Sequence, residues 1–190
     1  VDTAVAMFQS RLAALEGADA CVATATGMAA VATTAMGLLS AGDHVIAARG
    51  VFGTVVPLLG QILKRFGVET TWVDAKDLDA WRAAVRPGTR LLFAETPSNP
   101  VCEIVDIAGL AAIAREANAV LAIDNCMCSP ALQRPIALGA DLVVHSATKY
   151  IDGQGRVLGG AIAGRRDLVE GPLFNFVRTA GPAISPCNAW

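Results

Sequence analysis

The chain contains three lysines, Lys64, Lys76 and Lys149. Lys64 adjoins Arg65 and Lys76 adjoins Asp77, as solvated charges would. Lys149 instead comes after the apolar run Leu142–His145 and the segment Ser146-Ala147-Thr148. Desolvation beside such a run favours a neutral, nucleophilic amine; the alternative is a snorkelling surface lysine. Asp124 closes a second apolar run, Val120–Ile123, where a carboxylate is costly unless paired. It suits a cationic ring nitrogen, or it caps a turn together with Asn125. Gly27 and Met28 come after Thr26 at a helix start. Their N–H groups can take a phosphate, with hydroxyls from Ser146 and Thr148, or simply belong to a helix capped by Thr26. Phe52 can cover a flat ring by stacking or sit in a core. Asn99 offers an amide from Thr96-Pro97-Ser98-Asn99-Pro100, a loop too proline-rich for helix or strand, or is a plain turn residue there.

These residues need elements to bring them together. Val5, Phe8, Leu12 and Leu15 have helical spacing, and Gly17 suits the end of that helix. Short apolar runs at Ala20–Thr24, His44–Ala48, Val68–Val73, Leu91–Ala94, Val120–Ile123 and Leu142–His145 read as buried strands, with a further one at Val157–Ala163. Helices fall between them: Gly27 to about Leu39, Gly53–Phe66 with Pro57 near its first turn, one capped by Asp77 through Val85, and one capped by Asp106 through Ala117. Alternating strands and helices imply an α/β fold, a mostly parallel sheet with helices on both faces. Gly171–Trp190 reads as a crossing segment instead of a packed unit. In such sheets ligands bind beyond the carboxyl ends of the strands. Gly27 and Met28, Phe52, Asn99, Asp124, and the Ser146–Lys149 segment each lie at or just past the end of a strand, so one sheet edge collects them.

Composition narrows the classes. Of 190 residues, 54% are hydrophobic and 17% charged, with a formal net charge of −2. So apolar a chain must fold, which excludes disorder. The charge argues against nucleic-acid binding, which needs a basic patch. Asp19 to Asp43 encloses no charge and is long enough to span a bilayer, but threonines interrupt it and no basic or aromatic flank anchors it. A buried strand, turn and helix is the better reading, and no membrane association is expected. Five cysteines without regular spacing suggest reduced thiols and a cytoplasmic protein. Cys126-Met127-Cys128 lacks a matching half, so no metal site is expected.

The chain holds no G-x-G-x-x-G opening a helix, no P-loop and no G-x-S-x-G elbow. A lysine, a carboxylate for a ring nitrogen and a phosphate site suit a pyridoxal cofactor, which needs its nitrogen protonated to act as an electron sink. The segments Ala25-Thr26-Gly27-Met28-Ala29-Ala30, Glu95-Thr96-Pro97-Ser98-Asn99-Pro100, Asp124-Asn125 and His145-Ser146-Ala147-Thr148-Lys149-Tyr150 occur in this order. They resemble the cystathionine γ-synthase family of pyridoxal-phosphate enzymes, over essentially the whole chain. Ile151-Asp152-Gly153-Gln154-Gly155-Arg156 and Arg178-Thr179-Ala180-Gly181-Pro182 look most like its O-succinylhomoserine sulfhydrylase branch.

That resemblance implies the large domain of a fold-type I enzyme with pyridoxal 5'-phosphate as cofactor. Lys149 would hold the cofactor covalently and shuttle protons. Asp124 would pair with the ring nitrogen, Asn99 would approach the phenolic oxygen, and Gly27, Met28, Ser146 and Thr148 would hold the phosphate. Phe52 stands where most of the family has a stacking tyrosine, so a hydroxyl is missing. The implied reaction converts O-succinylhomoserine and sulfide to homocysteine and succinate; cystathionine γ-synthase or γ-lyase activity is the alternative within the family. A non-catalytic oligomeric scaffold is the alternative outside it, against which Lys149 and Asp124 together argue. Residues 1–190 are expected to form most of the large domain, without the N-terminal arm and C-terminal domain of family members, and the full protein to be a homo-oligomer, a tetramer by resemblance.

Overall fold

A computed structural model describes residues 2–190. Helix α1 (Thr3–Glu16) begins where the Asp2 carboxylate accepts from the Ala4 N–H, and ends at Gly17, which is left-handed. Strand β1 (Ala20–Thr24) leads to α2 (Gly27–Leu38), whose Thr26 cap accepts from Ala29 N–H. Strand β2 (His44–Ala48) comes next. The helix expected over 53–66 is broken: α3 (Val55–Pro57) runs into a π turn at Leu58–Ile62 and a 3-10 turn at Leu63–Phe66. Pro57 lies in the first turn, where its missing N–H removes no helical bond, whereas Gly60 within the π turn is a poor helix former.

Beyond it lie β3 (Glu69–Val73), α4 (Leu78–Ala84), β4 (Thr89–Glu95), α5 (Ile107–Glu116) and β5 (Val120–Asp124). Asp77 and Asp106 cap α4 and α5 by accepting from Ala80 and Gly109 N–H, each at 2.9 Å. A short α6 (Ser129–Leu132) and a 3-10 turn, both unforeseen, precede β6 (Leu142–His145). Strand β7 (Gly160–Gly164) begins three residues later than the expected Val157, because 153–158 form a loop.

The seven strands form one sheet in the order β1-β7-β6-β5-β4-β2-β3. Strands β2 to β6 pair in parallel, while β7 runs antiparallel to both β1 and β6, so β1 points the same way as the parallel set. Strands β2, β6 and β7 are buried along their whole lengths. Both sheet faces are covered, as the unbroken apolar runs required. Helix α2 packs over β7 and β6, while α1 packs on β1 and α5 on β5. Each fully buried Leu, Ile or Val contributes about 1.5–3 kcal/mol, so Leu92, Leu121, Ile123 and Ile162 place the core at mid-sheet. Edge strand β1 is shielded: Ala23 N–H donates to Gln9 of α1, and Ala25 N–H to Pro182.

The end of the chain differs from expectation. Instead of merely crossing, it forms α7 (Arg166–Leu168), a π turn bent at Gly171, α8 (Phe174–Ala180) and α9 (Pro186–Ala189). Val169, Leu173 and Val177 are buried, and Leu173 lies against Gly37 of α2. The Gly171-Pro172 pair reads as a breaker in sequence but bends this helical stretch without ending it.

Candidate active site

A cleft of about 890 Å³ opens at the carboxyl ends of the strands. Gly27, Met28, Phe52, Asn99, Asp124, Ser146, Thr148 and Lys149 all line it, together with Glu95, Cys126, Met127 and Tyr150. The sequence-predicted residues are thus brought together without exception. The convergence arises from topology: β1, β2, β4, β5 and β6 point the same way, so the turns leaving their carboxyl ends lie on one edge.

The first free N–H groups of the 12-residue α2 belong to Gly27 and Met28, because Thr26 takes those of Ala29 and Ala30. Gly27 must be glycine for lack of space. A Cβ there would sit 2.5 Å from Ser146 Cβ, so α2 and the turn after β6 touch at the backbone. That approach sets the Ser146 hydroxyl beside the helix start, and among the described residues it makes no hydrogen bond. The Thr148 hydroxyl is engaged otherwise: it donates to Gly159 O at 3.2 Å and accepts from Gly159 N–H at 3.0 Å. It borders the cleft but must give up the Gly159 carbonyl to donate to a ligand.

Asp124 ends β5, is buried, and accepts from Cys126 N–H at 3.0 Å. Burial holds its carboxyl above the usual range, countered by hydrogen bonding to Cys126 and by His145. No lysine or arginine forms an ion pair with it among the described residues. Lys149 is exposed, beyond the end of β6 and at the cleft wall, so the apolar strand does not desolvate it as expected. Phe52 is 42% exposed, which excludes a core role and leaves its ring to face the cleft.

Glu95 is one of the pocket residues to which the sequence assigned no role. It ends β4 beside Asp124 in the parallel register and is 4% exposed. Its carboxylate accepts from Phe52 N–H at 2.5 Å, tying the Phe52 loop to the sheet. Burial, then the neighbouring Asp124 charge, push its carboxyl up to about 8. The signal in sequence was only that an acid ends a buried strand; its neighbour was not visible. With its folded value raised, the folded chain holds more protons than the unfolded chain between about pH 4.5 and 8. The cofactor-free chain should therefore lose stability as pH rises through that window. Glu95→Gln should flatten the dependence, as denaturant midpoints at pH 5.5 and 8 would show; an unchanged slope would contradict the assignment.

The set fits one kind of ligand. It offers two helix N–H groups and a hydroxyl for a phosphate, a buried carboxylate lacking a cation for a ring nitrogen, an aromatic face, and an amine. Pyridoxal phosphate combines these features. The five cysteines are free, and among the described residues no group of three or more His, Cys, Asp or Glu side chains gathers for a metal. No helix among those residues is long and apolar enough to cross a membrane.

Comparison with known proteins agrees. The chain is 54% identical over 186 residues to O-succinylhomoserine sulfhydrylase of Pseudomonas aeruginosa, which covers 98% of this chain and 46% of that protein. It is 49% identical to the O-succinylhomoserine sulfhydrylase of Mycobacterium tuberculosis, again over 98% of this chain and 46% of the relative. L-methionine γ-lyase of Pseudomonas putida is 44% identical over 96% of this chain and 46% of its own. The chain thus spans about half the length of the curated relatives it matches. The crystal structure of metB from Corynebacterium glutamicum superposes with a TM-score of 0.96 at 34% identity, covering 99% of this chain and 49% of that one. Residues 2–190 match the family described as Cys/Met metabolism PLP-dependent enzyme. A fold whose strand ends gather a pyridoxal phosphate site, matched along its whole described length by that family, makes this chain a member of the pyridoxal-phosphate-dependent enzymes of cysteine and methionine metabolism.

Proposed function

We propose that this chain is the larger part of the cofactor-binding domain of a γ-replacement enzyme that converts O-succinylhomoserine and sulfide to homocysteine and succinate. The observation that carries it is the convergence of Lys149, Asp124, Phe52, Asn99 and the Gly27–Ser146 corner on one cleft. The similarity to two O-succinylhomoserine sulfhydrylases supports the choice of substrates. In the reaction the Cγ–O bond to succinate breaks and a Cγ–S bond to sulfide forms. The cofactor, when bound, supplies the electron sink for charge developing at the α-carbon.

The residues divide the work. Gly27 and Met28 N–H and the Ser146 hydroxyl hold the phosphate, with Thr148 alongside. Asp124 keeps the ring nitrogen protonated, and Asn99 takes the phenolic oxygen. The Lys149 amine holds the cofactor, then removes the α-proton and returns it. Phe52 covers the ring but has no hydroxyl, so no proton passes through position 52. We place the group that binds the substrate carboxylate outside these residues, and the whole protein as a cytoplasmic homo-oligomer, a tetramer by resemblance.

The γ-lyase reading draws on the likeness to L-methionine γ-lyase, and the γ-synthase reading on the family resemblance of the sequence motifs. Product analysis of the full-length protein distinguishes them. O-succinylhomoserine with sulfide should yield homocysteine and succinate. Preferential cystathionine formation with cysteine, or ammonia release without any thiol, would replace the sulfhydrylase reading.

Phe52 permits a narrower check. Removing an aromatic contact costs about 0.5–1.5 kcal/mol beyond its area. Phe52→Ala should weaken pyridoxal phosphate binding by a few-fold to about tenfold. The melting temperature of the cofactor-free protein should barely move, because the ring is exposed. Unchanged affinity would remove the stacking role.

A further inference from the structure

Glu16, the last residue of α1, is 1% exposed, and His145, the last of β6, is 0% exposed. Neither takes part in the proposed chemistry. His145 Nε2 lies 2.5 Å from Glu16 Oε1, and the Asn125 amide donates to the same oxygen at 3.1 Å. Asn125 also donates to Gln133 O and accepts from Gln133 Nε2. Among the described residues Glu16 Oε2 and His145 Nδ1 meet no partner.

Stability alone does not explain such a group. Replacing a buried charged pair by apolar residues of similar volume is often neutral or stabilising. Two unmatched buried polar atoms add further cost. What the pair does is geometric. Asn125 is the next residue after Asp124, and His145 directly precedes Ser146. The β5–β6 ladder is short, running from Ala122↔Leu142 to Asp124↔Val144. Where it ends, Glu16 reaches in from outside the cleft and holds the next residue of each strand. A positive charge on His145 would also counter the burial that raises the Asp124 carboxyl.

We propose that Glu16 and His145 are positioning residues, a clamp behind the cleft that fixes the Asp124 carboxylate relative to the Ser146 hydroxyl. This rests on reading the cleft as the pyridoxal phosphate site. Tightly held groups behind the contacting residues are what keep a binding constellation at working geometry.

The test uses the full-length protein, freed of cofactor and titrated with pyridoxal phosphate. The double variant Glu16→Leu/His145→Leu removes both polar partners and keeps much of the volume. It leaves one Asn125 N–H without its Glu16 acceptor, which offsets part of the gain, so its denaturation midpoint should stay close to that of the parent. Its pyridoxal phosphate dissociation constant should rise about tenfold, with a displaced visible band. Should that variant not fold, Glu16→Gln keeps one oxygen acceptor and should raise the constant a few-fold. An unchanged constant and band in either folded variant overturns the clamp. Failure of the underlying reading looks different: the parent itself takes up no cofactor, or borohydride traps it on a lysine other than Lys149, and both proposals fall.

Discussion

Lys149→Ala in the full-length protein should abolish turnover, with a loss of at least about 10³-fold. General acid–base catalysis by one positioned group alone accounts for about 10²–10⁴, and the same amine also holds the cofactor. Neither of the other two lysines within residues 1–190 can substitute. Lys64 and Lys76 are exposed and outside the cleft, and Lys76 is 2.9 Å from Glu103 as an ion pair. Borohydride reduction of the loaded parent and subsequent peptide mapping should place the cofactor on Lys149. A label on another lysine, or a variant retaining a tenth of parental turnover, would refute the assignment.

Asp124→Asn should lower kcat by about 10²–10³, the range seen when one preorganised electrostatic group is removed from a reacting site. An amide matches the carboxylate in shape, and its oxygen can still accept the Cys126 N–H. It cannot hold a proton on a ring nitrogen, so the ring withdraws electrons less well. Cofactor affinity should change only a few-fold, because the Gly27, Met28 and Ser146 contacts persist. The two quantities must therefore separate. Parental kcat in the variant, or loss of cofactor binding equal to the loss of kcat, would sink this role for Asp124.

Much of the site was legible because its information is local and directional. Thr26, Asp77 and Asp106 announced helix starts by side-chain chemistry that acts within three residues. Apolar runs marked strands buried on both sides. Parallel strands then made position predictive: residues just past a strand end had to lie on the same edge, and Phe52, Asn99, Asp124 and Lys149 do. Their chemical types were compatible with a phosphate, a ring nitrogen and an amine-bound cofactor, and the resemblance to a pyridoxal-phosphate family assigned each its expected role.

What the chain alone left open depends on partners far away in sequence. Apolar content says that β7 is a strand, but only pairing with β1 and β6 makes it antiparallel. Glu95 is an ordinary acid until Asp124 stands beside it in the neighbouring strand. Glu16 and His145, 129 residues apart, meet only because α1 packs against the sheet. Lys149 was expected under apolar cover, yet the turn after β6 carries it out to the cleft wall. The terminal helix obeys the same logic, since Gly171-Pro172 opposes a helix locally while burial of Leu173 against α2 favours one. Local propensity involves a few tenths to about 3 kcal/mol per residue. Sheet order, burial and paired charges are summed over the whole molecule, and only the tertiary structure evaluates that sum.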